Sequence, residues 1–247
     1  LNEKGIFKEI SASINRTSDA IERKNAALAA RDSARSNWIS GISHDIRTPL
    51  SVIVGYSEEL ARSESLDAGE RGRAETITAQ GIKIKKLIED LNLISSLEYD
   101  MQPSRKSAVK ICPLLRRTVS DILNSGIANR CEIELDLRNE KSVISADESL
   151  IERAIFNLIN NSVTHNENGC KIRISQYEHD GTVYVDIHDS GRGVSPEILE
   201  NISQIPKSAH GLGLPMAYRI IRMHGGGFTA ANDNGLKILM ELPKAGA

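Results

Sequence analysis

The sequence predicts an α+β protein: a helical hairpin, which pairs with a second copy into an antiparallel four-helix bundle, followed by an α/β sandwich. Three observations carry this. Apolar residues recur at helical spacing from Lys8 to about Leu60 with one proline and little glycine. A second helical stretch repeats Ile77, Ile84 and Leu91 every seven residues. Past Gln102-Pro103 the pattern turns to strands that alternate apolar and polar side chains, mixed with short helical stretches.

The first helix is marked by Ile10, Ile14, Ile21 and Leu28, then by Ile39, Ile42, Ile46, Leu50, Ile53, Ser57 and Leu60. Between Arg62 and Arg73 the chain turns polar, with Ser63, Ser65, Asp67 and Gly69, which suits a loop between helices. In the second helix Leu87 and Ile94 accompany the seven-residue series. One hairpin cannot bury both apolar seams, so the sequence predicts a homodimer that buries them in a four-helix bundle.

In the second half, "CEIELDLRN", "KIRISQY", "TVYVDIH" and "LKILMEL" read as half-buried strands, and Asp180-Gly181 and Asn234-Gly235 are hairpin turn pairs. Helices are expected at about 114–124, 148–163 and 214–224. One-sided strands with interspersed helices predict a mostly antiparallel sheet covered on one face.

Composition narrows the function. The 247 residues carry 31 basic and 33 acidic side chains, with no basic stripe interleaved with aromatics, which argues against nucleic acid as a partner. Cys112, Cys131 and Cys170 stand singly, without the spacing of a zinc or iron–sulfur site, and point to a reducing compartment. No run of 18 apolar residues and no cleavable leader occurs. The chain starts at Leu1 rather than methionine, so a fragment of a longer protein is expected.

Placed around a helix, Ile39, Ile42, Ile46, Leu50, Ile53 and Ser57 fall on one side, and His44, Thr48, Ser51 and Gly55 on the other. A lone histidine facing solvent is ordinarily just a surface residue. Here Asp45 is adjacent and can orient the ring or take its proton as a nitrogen attacks. Thr48, four residues on, offers a hydroxyl to position a water. Pro49 lacks an N–H and is expected to bend the helix beside the histidine. Further along, Ile151, Ile155, Leu158 and Ser162 form an inner stripe, with Asn157 and Asn161 on its flank, one turn apart. "DSGRGV" places Asp189 before Gly191 and Gly193, and "HGLGLP" places Gly211 and Gly213 before a helix with Pro215 in its first turn.

"SHDIRTPL" resembles the phosphoacceptor box of sensor histidine kinases of two-component systems. The three later segments resemble the asparagine box and the two glycine boxes of the Bergerat-type ATP-binding domain shared by those kinases, DNA gyrase and heat-shock chaperones. The resemblance implies that His44 accepts the γ-phosphoryl group of ATP, assisted by Asp45, and passes it to an aspartate in the receiver domain of a response regulator. Thr48 implies a phosphatase activity on that regulator. It further implies that Asn161 is the magnesium ligand, Asn157 a phosphate contact and Asp189 the acceptor for the adenine amino group. Gly191 and Gly193 would line the site, His165 would stack near adenine, and Gly211, Leu212, Gly213 and Leu214 would form the phosphate side. ATP and Mg2+ are thus the implied cofactors.

By the same resemblance residues 1–35 are the end of a HAMP linker and its coiled coil, with "KEISASINRTSDAIERKN" as its second helix. Residues 36–102 are the dimerisation and phosphotransfer hairpin and 103–247 the catalytic domain, with an ATP lid at about 194–209. A membrane-embedded sensor upstream is implied, which makes this the cytoplasmic part of a bacterial inner-membrane protein. Three positions depart from the pattern: Thr164 where a basic residue is common, His165 where an aromatic is usual, and Ala209 at the first glycine of the second glycine box. These fit an alternative, a catalytically silent relay or a phosphatase-only member. A chaperone- or topoisomerase-type ATPase would share the nucleotide motifs but has no use for "SHDIRTP".

Overall fold

The computed structural model describes residues 3–98, 105–204 and 211–246. Gln102-Pro103, Pro206 and Ala209, and the side chains of Ile10 and Leu28, lie outside the described residues. The chain divides into two compact units, Leu1–Tyr99 and Asp100–Ala247.

The first unit is a hairpin of α1 (Glu3–Arg62) and α2 (Ala68–Glu98). α2 starts with a reciprocal cap, as expected where a helix begins with unpaired N–H groups: Glu70 N–H donates to Asp67 Oδ1 at 2.8 Å, and Asp67 N–H donates to Glu70 Oε2 at 3.1 Å. The two helices meet through leucine and isoleucine interleaved with small residues. Ser43, Leu50, Ser57, Ala74, Gly81, Leu93, Ile94 and Leu97 are buried. A Cβ on Gly81 would collide with Val54 Cγ2, so the approach of the helices at that level depends on glycine.

One hairpin leaves much of its apolar surface uncovered. Ile42, Ile46, Ile53, Ile77, Ile84 and Leu91 remain exposed in the single chain, and the seven-residue series is not the seam of the hairpin. Periodicity placed the apolar residues on one broad face, but the buried edge of that face is the one carrying serine, alanine and glycine, which lets two backbones come close.

In the second unit a five-stranded sheet runs in the order β2 (Glu132–Leu137), β4 (Lys171–His179), β5 (Thr182–Asp189), β7 (Leu236–Pro243), β6 (Gly227–Asn232). β2 is parallel to β4, and the other neighbours are antiparallel. A separate antiparallel pair joins β1 (Ser107–Lys110) to β3 (Val143–Ala146). Both pairs of turn residues have positive φ, Asp180 at 46° with Gly181 at 73°, and Asn234 at 50° with Gly235 at 139°.

The strands bury alternate residues: Ile172 and Ile174 on β4, Val183, Val185 and Ile187 on β5, and Leu236, Ile238, Met240 and Leu242 on β7. Helices α3 (Ile111–Asn124), α4 (Glu148–His165) and α6 (Gly213–Met223) bury Leu115, Ile122, Ile151, Ile155, Leu158, Met216 and Ile220. The layered result is α+β: a helical hairpin, then a mixed sheet whose core side is helical. The first turn of α4 is fixed by Asp147, whose Oδ1 accepts from Ser149 N–H at 3.1 Å and Leu150 N–H at 3.3 Å. Burial works against the charge of Asp147, yet the bonds from Ser149, Leu150 and Arg105 prevail and hold its pKa below the ordinary carboxylate value.

Candidate functional site

Two sets of functional candidates occur, one in each unit. On α1, His44 is 76% exposed and Asp45 85%, so the ring is open to a large partner. His44 Nδ1 lies 3.4 Å from Asp45 Oδ1. A carboxylate can only accept, so this contact suits the neutral tautomer that carries its proton on Nδ1 and keeps the lone pair on Nε2, the form a nucleophile needs. One turn on, Thr48 Oγ1 lies 3.5 Å from His44 O. α1 continues through Pro49, which leaves the Asp45 carbonyl without the usual helical donor. Behind the histidine, Ser43 Oγ bonds Ile39 O at 2.7 Å and Asn92 Oδ1 at 2.8 Å, tying α1 to α2 one residue before His44.

In the second unit the stripes of α4 and β5 each end in a polar residue, and these meet. Asp189 continues the core-facing series Val183, Val185, Ile187 and is 3% exposed. Ser162 continues the inner series of α4 and donates to Asp189 Oδ2 at 2.7 Å. Asp189 Oδ1 accepts from Gly191 N–H at 2.9 Å and from Leu236 N–H at 3.2 Å. A buried carboxylate needs such donors to remain folded inside, and these three fix its position.

The glycines beside it are required by space. A Cβ on Gly191 would overlap the side chain of Asn166, and one on Gly193, whose φ is 69°, would overlap Asn232 Oδ1. Asn166 Nδ2 donates to Ser162 O at 2.7 Å and its Oδ1 faces Arg192 N–H at 3.4 Å, joining the end of α4 to the glycine turn. Asn232 clamps the residue after the turn from both sides, accepting from Val194 N–H at 3.0 Å and donating to Val194 O at 2.7 Å.

Along α4, Asn161 is half-buried, whereas Asn157 is only 6% exposed and donates to Met216 Sδ at 3.0 Å. The sequence reading set both on the flank, but α6 covers Asn157: the Cβ position of Gly213 lies 3.7 Å from Asn157 O. Leu212 and Leu214 are buried, and Gly211 is exposed with a φ of 90°. Thr164 and His165 are exposed at the end of α4, and Thr164 Oγ1 turns back to Asn160 O at 2.8 Å. After Val194 a short helix, α5 (Pro196–Glu200), forms within the expected lid, and Arg219 Nη2 on α6 donates to Ser203 O at 2.9 Å.

The second unit and the hairpin each match a family. Residues 146–246 match the histidine kinase-, DNA gyrase B- and HSP90-like ATPases, and residues 34–100 match the His Kinase A (phospho-acceptor) domain. The chain belongs to the sensor histidine kinases of two-component systems. Among the relatives of this histidine kinase chain are the sensor histidine kinase YvrG of Bacillus subtilis, 26% identical over 89% of this chain and 40% of that protein, and the sensor protein KdpD of Clostridium acetobutylicum, 30% identical over 90% of this chain and 26% of that protein. The chain therefore spans less than half the length of either.

Among solved structures, full-length ShkA in complex with AMPPNP shares the fold with a TM-score of 0.73 at 24% identity, over 85% of this chain and 46% of that one. The catalytic domain of histidine kinase ThkA aligns with a TM-score of 0.52 at 25% identity, over 57% of this chain and 96% of that one. No helix among the described residues is long and apolar enough to cross a membrane.

Ser162, Asn166 and Asn232 are absent from the sequence-derived set of site residues. Ser162 carried a signal, a hydroxyl in an otherwise apolar stripe that must find a buried acceptor. Asn166 and Asn232 carried none, since the glycine turn that each braces, at Arg192 and at Val194, is distant in sequence.

Proposed function

We propose that this chain is the kinase core of a sensor protein: it takes the γ-phosphoryl group of ATP onto His44 and passes it to an aspartate of a response-regulator receiver domain. The observation that carries the proposal is the contrast between an exposed His44, with Asp45 and Thr48 within one turn, and a buried, donor-fixed Asp189 beside glycines that leave no room for side chains.

The residues fit the ligands. Among the described residues Asp189 Oδ2 receives only the Ser162 hydroxyl, so it retains acceptor capacity for an adenine amino group. The half-buried amide oxygen of Asn161 is the hard ligand a hydrated magnesium ion prefers, and magnesium when bound neutralises charge on the phosphates. Gly211, Leu212, Gly213 and Leu214 bring backbone N–H groups to the start of α6, the natural partner of phosphate. Asn157 supports the phosphate side by seating α6 on α4, and His165 has the exposed ring to stack on a base. In the transfer, the Nε2 lone pair of His44 forms the bond to the γ-phosphorus as the bond to the bridging oxygen breaks and ADP leaves. Asp45 holds the Nδ1 proton throughout, and Thr48 orients the water that removes phosphate from the regulator.

The exposed faces of Ile42, Ile46, Ile77, Ile84 and Leu91 support a homodimer, and the chain's spanning 40% of YvrG and 26% of KdpD supports a longer sensor protein, which we propose is membrane-bound with this as its cytoplasmic part. Incubation with γ-labelled ATP and magnesium, beside His44→Gln, tests the reading. Acid-labile, base-stable label on the parent and none on the variant is expected; label that persists on the variant contradicts it. Thr48→Ala should keep that label yet strip phosphate from the regulator slowly, and an unchanged rate removes Thr48 from the phosphatase role.

A further inference from the structure

Two of the three cysteines, 39 residues apart in sequence, come together in the fold. Cys131 precedes β2 and Cys170 precedes β4, and the first registered pair of these parallel strands is Glu132 with Lys171. Their Sγ atoms lie 3.6 Å apart, both side chains are half-buried, and both are free thiols. Their backbones are pinned on either side of the pair. Before it, Arg130 Nη1 donates to Glu167 O at 3.0 Å, and Gly169, with a φ of 87°, lies so close to Arg130 O that a Cβ would overlap it. After it, Glu132 N–H donates to Cys170 O at 3.0 Å. Adjacent strands are about 4.8 Å apart, within the Cα separations that disulfides span, so closure to an S–S bond of about 2.05 Å needs mainly side-chain movement.

The pair also touches the end of α4. Cys170 Sγ is 3.7 Å from Ser162 O, the carbonyl that Asn166 also holds, and the hydroxyl of the same Ser162 fixes Asp189. We propose that Cys131 and Cys170 form a reversible disulfide, and that its formation removes the thiol from Ser162 O, loosens the Asp189 anchor and weakens nucleotide binding. The second half rests on the ATP-binding reading above; the first does not.

The oxidant is a low-molecular-weight disulfide. The Cys131 thiolate attacks one of its sulfurs and expels a small thiolate, which takes up a proton. The sulfur of Cys170, losing its own proton to solvent, then attacks Cys131 Sγ and expels the second small thiolate. Two protein thiols and one small disulfide thus give one protein disulfide and two small thiols. Cys131 is the residue that opens the sequence, because burial first, and then the hydrogen bond to Cys131, push the Cys170 thiol up to about 12 and keep it protonated. Cys112 is the internal control: it is fully buried, and its thiol donates to Gln176 Oε1 at 3.2 Å.

The test treats the intact chain with graded ratios of oxidised to reduced glutathione. Mass spectrometry follows the link, and the affinity for a fluorescent ATP analogue is measured in each state, alongside Cys131→Ser, Cys170→Ser and Cys112→Ser. The expected result is a 131–170 linked peptide that reverts with excess thiol, forms unchanged in Cys112→Ser, and accompanies a nucleotide affinity about 5-fold weaker. Bound nucleotide should shift the oxidation midpoint towards the reduced form by the same factor, since coupling is reciprocal. Glutathione caught on either cysteine without the internal link overturns the disulfide. A link with unchanged affinity overturns the coupling. No binding by the reduced chain overturns the ATP reading and the coupling with it, while the mass measurement still decides the disulfide.

Discussion

The two units treat their key ionisable groups in opposite ways. In the hairpin, His44 and Asp45 stand in water with one contact of 3.4 Å between them. In the second unit Asp189 is buried and held by three donors. The difference fits the roles proposed above for each. A group that is visited by several protein surfaces has to be exposed and needs little support, whereas a group that recognises a small molecule must be fixed in advance, which burial and directional bonds accomplish. The apolar surfaces divide in the same way: the second unit closes a core of its own, while the hairpin leaves a row of isoleucines in solvent.

Several changes would break or sharpen this contrast. The largest effect is expected from placing charge on the open row. Ile77→Lys with Ile84→Lys should turn a dimer into a monomer by light scattering; an unchanged mass would show that the row is not the dimer face. Next comes Asp189→Ala, which strands the Ser162 hydroxyl and the N–H groups of Gly191 and Leu236. At about 1–3 kcal/mol for each buried group left unpaired, the second unit should melt well below the parent. A melting curve identical to the parent would mean that these bonds do not hold the carboxylate.

Within the hairpin, Gly81→Ala should cost about 1–3 kcal/mol by overpacking against Val54. Val54→Ala should recover much of that loss in the double variant, and simple additivity of the two would deny the contact. The smallest effect concerns His224, which is buried, with Nδ1 2.7 Å from Ile220 O and Nε2 accepting from Asp147 N–H at 3.0 Å. Burial is the main cause that lowers its pKa from 6.5; Lys106 lowers it further, and Ile220 O and Asp147 oppose. The folded state therefore favours the neutral ring, so its contribution is full above pH 6.5 and declines as pH falls and the unfolded chain takes up the proton. Denaturation midpoints should drop below pH 6.5, and His224→Gln should flatten that slope; a slope equal to the parent's would assign it to other groups.

Much of this was legible in the sequence, and what was not has physical reasons. β4, β5, β7 and α4 declared themselves because each buries one face, so alternation or helical spacing is written into the residues. β1 and β3 are four residues each and β6 buries little, so no period could form. The helical hairpin was legible as two apolar stripes, but which edge of each stripe packs within the chain depends on Gly81, Ala74 and Ser43 fitting together, a matter of shape rather than hydropathy. Asp189 stood out as a carboxylate before two glycines. The supports from Asn166 and Asn232, like the meeting of Cys131 with Cys170, arise only when the sheet forms.

The most direct test of the contrast crosses the two sites. ATP binding and phosphohistidine formation would be measured on the parent, on His44→Gln and on Asp189→Asn. His44→Gln should bind ATP as the parent does and take no label, and Asp189→Asn should lose both. A His44→Gln chain that cannot bind, or an Asp189→Asn chain that binds and labels normally, would contradict the separation of an exposed reactive residue from a buried recognising one.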